Sequence, residues 1–223
     1  MEKIATGNHI PKNIVDLDFT VEKNINNYSK ATNKKPNEIS VCILDRPRHK
    51  KIISELKRLK VNIKYISDGD VSAALLVSDK KYGVDIFMGT GGGPEGVIAA
   101  AALQKLNCNF QGRFIFSTEN EINRAKKMGI KNLNKKYEIN EIVKGESIFC
   151  ATGITSGDLM KGIIKKNDKF ITETIVTHNN AVLEIVKKEV SITWLIEKIT
   201  IKDLDWSLRL SVRTHGFHPW KRG

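Results

Sequence analysis

Apolar and polar positions along this chain switch repeatedly between the strand period and the helix period. Val41-Cys42-Ile43-Leu44 is a short continuous apolar run, as in a strand covered on both faces. Lys50 to Leu59 sets apolar residues on one face and lysines on the other, which predicts a helix. Val61 to Ile66 alternates as a strand does and stops at Ser67-Asp68-Gly69-Asp70, after which Val71 to Val77 predicts a short helix. Val84 to Met88 is another apolar strand, and Val97 to Leu103 a helix of small residues suited to close packing. Glu119 to Met128 has helical spacing and ends at Gly129, a suitable C-terminal cap. Glu146 to Ala151 reads as a strand, and Phe170 to Val176, Ala181 to Val186 and Ser191 to Ile199 read as a closing antiparallel meander with polar turns between them. Strands alternating with helices in this order predict an α/β fold, without internal repeats or low-complexity segments.

One junction in that pattern carries chemistry. Met88-Gly89-Thr90-Gly91-Gly92-Gly93-Pro94-Glu95-Gly96 joins a strand to a helix through a turn that few side chains obstruct, so its backbone amides are open to a ligand. Pro94 suits a first helical turn, where its missing N–H has no partner to lose. Free N–H groups and the positive end of a helix favour phosphate or carboxylate. Glu95 is favourable for the helix but repels a phosphate unless a cation lies between them, so the combination points to phosphate with a divalent metal.

With 223 residues and 40% hydrophobic content, the chain is large enough for a substantial core. It contains no apolar run of about 18 residues, and Met1-Glu2-Lys3-Ile4 lacks the apolar core of a signal peptide, so a cytoplasmic protein is expected. Cys42, Cys108 and Cys150 lie far apart and are expected to be buried thiols rather than disulfides or zinc ligands. The net charge of +12 raises the question of nucleic-acid binding. Arg209, Arg213, Lys221 and Arg222 lie in an acid-free tail, however, leaving 33 basic against 25 acidic side chains, or +8, in residues 1–206. Many of those lysines fall on predicted helix faces, where solvation explains them, and no stacking aromatics interleave with them.

The ends of three strands each run into small or polar residues: Asp45-Arg46-Pro47-Arg48-His49, Asp68-Gly69-Asp70, and the glycine turn. Ligands of open α/β sheets bind beyond the carboxyl ends of the strands, so three parallel strands would bring these segments to one crevice. There Arg46 and Arg48 could bind a phosphate, Asp68 and Asp70 accept from sugar hydroxyls, Gly92 offer backbone, and Glu95 hold a metal. Taken singly, each has a structural explanation, such as a loop arginine, an Asx turn or a helix cap. His49, beside lysines, reads as a surface residue at a helix start, and His178 as part of a Thr177-His178-Asn179-Asn180 turn.

The ordered set is more specific. Asp45-Arg46-Pro47-Arg48-His49, Asp68-Gly69-Asp70-Val71, the Met88 to Val97 turn, Gln111-Gly112-Arg113, Met128-Gly129-Ile130 and Ala151-Thr152-Gly153-Ile154-Thr155-Ser156-Gly157-Asp158-Leu159 occur in an order and spacing that resemble the class II fructose-1,6-bisphosphatases, from Glu2 to about residue 200. The resemblance implies the layered α/β superfold of the lithium-sensitive sugar phosphatases. It also implies a Mn²⁺- or Mg²⁺-dependent hydrolysis of the 1-phosphate of fructose 1,6-bisphosphate, extending in some members to sedoheptulose 1,7-bisphosphate. Arg46, Pro47, Arg48, Asp68, Gly69, Asp70 and Gly92 match the family's substrate contacts, and Glu95 matches a metal ligand.

The resemblance begins near the middle of the family enzyme, so residues 1–206 are expected to represent its C-terminal half. By that comparison the other acidic metal ligands and the residue that orients the attacking water are missing, and one glutamate cannot fill the roughly six oxygen sites of Mg²⁺ or Mn²⁺. The expectation is little or no turnover without a complementary N-terminal half. Residues 207–223 no longer resemble the family and are expected to be a disordered basic tail. Family members form dimers or tetramers, so self-association is a further expectation. Two other readings remain open: a non-catalytic sugar-phosphate binding module or remnant, and nucleic-acid binding through the net charge.

Overall fold

A computed structural model describes residues 1–67, 69–167, 169–177 and 184–191. The predicted strand at Val41 is β2 (Ser40–Leu44), which pairs in parallel with β3 (Asn62–Ile66) on one side and β4 (Ile86–Thr90) on the other. β1 (Glu2–Thr6) enters antiparallel between β4 and β5 (Asn109–Arg113), and β6 (Lys136–Glu138) closes the far edge. The six-stranded order is β3-β2-β4-β1-β5-β6. Leu44 pairs with Ile66, and Glu2 faces both Thr90 and Arg113. The C-terminal ends of β2, β3 and β4 and the N-terminal end of β1 therefore share one edge of the sheet.

Both faces of this sheet are covered, which is why β2 reads as an unbroken apolar run. α1 (Val21–Thr32) and α2 (Lys50–Arg58) cover one face, packing Ile25, Tyr28 and Leu56 on Ile4, Val41, Ile86 and Met88. α3 (Asp70–Leu75) and α4 (Gly93–Lys105) cover the other, against Ala5, Cys42, Leu44, Phe87 and Phe110. α4 buries Ala99, Ala100, Ala101, Ala102 and Leu103. Small side chains let it pack against the sheet while Phe149 and Ile139 join the same core from beyond it. At the end of the sheet remote from the converging strand ends, the Asp85 carboxylate accepts from Tyr28 Oη (2.9 Å), Lys34 Nζ (2.6 Å) and the Ser40 amide (2.9 Å). Burial, with Asp85 beside it, pushes the Tyr28 hydroxyl far above its usual pKa.

α5 (Glu119–Lys127) starts in a capping box formed by Thr118 and Glu121 and ends, as its glycine predicts, with Gly129 at φ 88°. α6 (Ile139–Ile142) follows β6. A second sheet contains β7 (Phe149–Thr152), β8 (Ile164–Lys166), β9 (Lys169–Thr177) and β10 (Glu184–Ser191); β9 pairs antiparallel with each of the other three. The architecture is thus layered α/β with a mixed main sheet, as expected for an α/β phosphatase fold.

Two expectations need correction. β10 runs unbroken from Glu184 to Ser191, so the turn read after Val186 is strand; backbone pairing of Lys187 with Glu173 and Lys188 with Thr172 carries it through a polar stretch. Cys42 and Cys108 are buried free thiols, but Cys150 is free and exposed, because it alternates outward from Phe149 on the outer sheet. Asp68, His178, the predicted strand positions Ala181 to Leu183 and Ile192 to Ile199, and the 207–223 tail lie outside the described residues.

Candidate functional site

The three polar segments meet because β2, β3 and β4 are parallel. Asp45-Arg46-Pro47-Arg48 leaves β2, Gly69 and Asp70 lead from β3 into α3, and Gly91 to Glu95 leaves β4, all at the same edge. Pro47 opens a short 3₁₀ turn, Pro47–His49, that leads into α2. Arg48 is exposed, and its Nε donates to Thr90 O (2.6 Å), which ties the arginine loop to the end of β4. Arg46 is half-buried. Gly69 adopts φ 91°, a left-handed conformation that side chains disfavour, and turns the chain from β3 into α3.

His49 is not a surface residue. It is fully buried; Nδ1 donates to Leu44 O (2.7 Å) and Nε2 accepts from the Thr90 amide (2.8 Å). With both ring nitrogens engaged by backbone, it pins the ends of β2 and β4 together. Sequence reasoning missed this because adjacent lysines suggested solvent, whereas the partner amide lies 41 residues away.

The glycine turn is tied to β1. Gly91 exchanges backbone hydrogen bonds with Met1 at 2.8 and 2.9 Å, which extends the β1–β4 ladder by one pair. Gly92 is the N-cap of α4, followed by Gly93, Pro94 and Glu95 in its first turn. Both Gly92 and Glu95 are exposed. The Glu95 carboxylate folds back so closely on Gly92 that a methyl group there would collide with Oε2. Glycine at this position therefore gives the carboxylate its place.

Beneath the turn lies a residue that no motif contains. Lys3 is only 2% exposed and forms an ion pair with Asp70 Oδ2, while Asp70 Oδ1 is buried without a hydrogen-bond partner. A Cβ on Gly91 would lie 2.5 Å from Asp70 Oδ2 and 3.2 Å from Lys3 Nζ, and one on Gly96 would lie 3.0 Å from Lys3 Cε. Asp70 is thus largely covered by the turn rather than open to the crevice. No sequence signal joins Lys3 to an acid 67 positions away.

Next to Gly69 a cavity of about 690 Å³ opens between Ile66, Ser67, Gly69 and Ser72 on one side and Thr152 to Met160 on the other. The Lys64–Asp158 ion pair (3.0 Å) spans the same two elements. The 152–163 segment is closely pinned: the Gly157 amide donates to Met160 O (3.0 Å), and the Ile163 amide to Ile154 O (3.1 Å). A Cβ on Gly162 would lie 2.6 Å from three backbone atoms.

Among the described residues no group of three His, Cys, Asp or Glu side chains could hold a metal ion. Glu95 stands as a single carboxylate at the turn. The described residues alone therefore do not fit a divalent cation that takes about six oxygen ligands. Nor is any described helix long and apolar enough to cross a membrane.

A model of bacterial fructose-1,6-bisphosphatase, glpX-encoded, matches residues 1–189. The chain is 38% identical over 176 residues to the D-fructose 1,6-bisphosphatase class 2/sedoheptulose 1,7-bisphosphatase of Trichodesmium erythraeum, covering 73% of this chain and 51% of that protein. It is 34% identical over 209 residues to the fructose-1,6-bisphosphatase class 2 of Haemophilus influenzae, covering 87% and 62%. To fructose-1,6-bisphosphatase 1 class 2 of Escherichia coli it is 35% identical over 190 residues, covering 79% and 56%. The chain thus spans between 51% and 62% of the length of these relatives.

Proposed function

Because the chain belongs to the bacterial, glpX-type fructose-1,6-bisphosphatase family, we propose that its strand-end crevice is the substrate-binding part of a phosphatase acting on the 1-phosphate of fructose 1,6-bisphosphate. The observation that carries this reading is the parallel pairing of β2, β3 and β4, which gathers the arginine loop, the Asp-Gly-Asp loop and the glycine turn at one edge.

In this reading the amides of Gly92 and Gly93 and the positive end of α4 bind one phosphate, the Gly91 amide being already donated to Met1 O. Arg48, tethered through Nε, presents its remaining N–H groups to a second phosphate, together with Arg46. Pro47 holds that loop in its turn. Asp68 and Asp70 are the acceptors for the sugar hydroxyls, Asp70 through Oδ1, which has no hydrogen-bond partner within the described residues; Gly69 belongs to the same loop. Gly92 lets the ligand and the Glu95 carboxylate approach the same backbone. Glu95 would supply one carboxylate ligand to a Mn²⁺ or Mg²⁺ ion, which would polarise the phosphoryl group. Because the described residues supply no further cluster, the rest of that shell comes from elsewhere, and the chain by itself binds sugar phosphate without turning it over.

The test is phosphate release from fructose 1,6-bisphosphate with manganese, by the full chain alone and after addition of a family N-terminal half. Activity only in the mixture is expected. Turnover by the chain alone would overturn the ligand-count argument. Silence in both, with fructose 6-phosphate still bound, would make the crevice a non-catalytic binding module.

A further inference from the structure

Lys3 lies outside every recognised motif yet pairs with Asp70 directly under the turn at the N-terminus of α4. Lys3 is in register with Gly89 on β4 and Gly112 on β5, so neither neighbouring position on its face of the sheet carries a side chain. Its stem runs past Gly96 and its ammonium ends against Gly91, where it meets Asp70 Oδ2. Both groups are held: the Lys3 side chain is 1% exposed, and Asp70 sits in the first turn of α3 at 11%. A methyl group at Gly91 would strike Asp70 Oδ2, and one at Gly96 would strike Met1 Sδ and crowd the Lys3 stem.

The electrostatic consequence concerns the ligand. A buried carboxylate against Gly91 would, by itself, oppose any anion drawn to the positive end of α4. With Lys3 in place the pair is neutral, so of the two carboxylates at the turn only that of Glu95 still opposes a phosphate at the N-terminus of α4. We propose that Lys3 is a positioning residue of the sugar-phosphate site: by anchoring and neutralising Asp70 beneath Gly91, it lets a carboxylate serve the sugar without repelling the phosphate. This rests on the reading of the crevice given above.

The experiment is calorimetric titration of the full chain and its variants with inorganic phosphate and with fructose 6-phosphate, with thermal unfolding recorded alongside. Lys3→Met keeps the length of the side chain but leaves a lone carboxylate under the turn, so phosphate should bind on the order of tenfold more weakly. Asp70→Asn leaves the lysine charge alone, so phosphate should bind several-fold more tightly while the preference for fructose 6-phosphate over phosphate shrinks. The neutral double variant should return phosphate affinity to within about threefold of wild type. Loosened packing would weaken binding in both single variants, so shifts of opposite sign report charge rather than fold. If Lys3→Met does not fold, Asp70→Asn and the double variant still give the sign. Shifts in the same direction, or none above about twofold, would overturn the role of Lys3 while leaving the crevice intact. A wild-type chain that binds neither probe would overturn both.

Discussion

Gly91→Ala isolates the packing beneath the turn. Its added methyl carbon would lie 2.5 Å from Asp70 Oδ2, 3.1 Å from Asp70 Cγ and 3.2 Å from Lys3 Nζ. Unstrained contacts between heavy atoms lie near 3.5 Å, so the carboxylate must retreat by about 1 Å. It has little room to do so, because its partner Lys3 is enclosed and Gly91 is fixed to Met1 through both backbone groups. Overpacking of this kind costs about 1–3 kcal/mol, and the cost approaches about 3–5 kcal/mol if the buried pair separates. At roughly 2–4 °C per kcal/mol for a chain of this size, a loss of 2–3 kcal/mol lowers Tm by about 4–12 °C. Gly157→Ala is the control: nothing lies within 4 Å of its added methyl, and Gly157 is not among the glycines with positive φ. It should be neutral or stabilising by up to about 1 kcal/mol. Thermal unfolding of both variants, followed by circular dichroism, gives the comparison. Equal Tm values for the two would refute the packing argument.

Gly92→Ala should separate stability from ligand binding. Gly92 already has φ −63°, so its alanine variant should stay within about 1 kcal/mol of wild-type stability, but the new methyl displaces the Glu95 carboxylate, and metal-supported phosphate release in the reconstituted mixture should fall at least about tenfold. Unchanged turnover would remove Glu95 from the metal shell. Burial pushes the Asp16 carboxyl up, but hydrogen bonds from Lys136, the Asp18 amide and Gln111 outweigh it and hold it below the usual range; Lys136 and Arg113 do the same for Asp18. Both carboxyls therefore contribute stability that is complete above about pH 4 and is lost as pH falls through their lowered values. Lys136→Met should raise the midpoint of acid unfolding, and an unchanged midpoint would show that the pairing contributes nothing. Burial also pushes the Cys42 and Cys108 thiols up to about 12, so a thiol reagent at neutral pH should label exposed Cys150 alone in the native chain, as mass spectrometry of the labelled peptides would show.

The converging strand ends were legible because β2 and β4 are apolar runs bounded by glycine, proline and acid, and local sequence marks such boundaries. β1 was not, because Glu2 and Lys3 break its apolar pattern; it is a central strand whose buried Lys3 is neutralised by Asp70 of α3. α1 was missed for a related reason. Asn24 occupies a core-facing position there, where its side chain accepts from the Asp16 amide (2.8 Å) and donates to the Asp16 carbonyl (3.0 Å), so a polar residue stands where periodicity looks for an apolar one. His49 and Cys150 were misplaced in opposite directions, the first buried by backbone partners distant in sequence and the second turned outward on the second sheet. The Arg46, Arg48, Gly69 and Gly92 segments were readable as a set, but the Lys3–Asp70 pair beneath them required three dimensions.

The most direct measurement is calorimetric titration of the full chain with fructose 6-phosphate, in wild type and in Arg46→Gln and Arg48→Gln variants. Saturable binding by wild type, weakened at least about tenfold in each variant, is the expected result, since in the proposed site each arginine would supply charge-assisted hydrogen bonds to phosphate. Wild-type binding that is absent, or that survives both substitutions unchanged, would contradict the assignment of this crevice to a sugar phosphate.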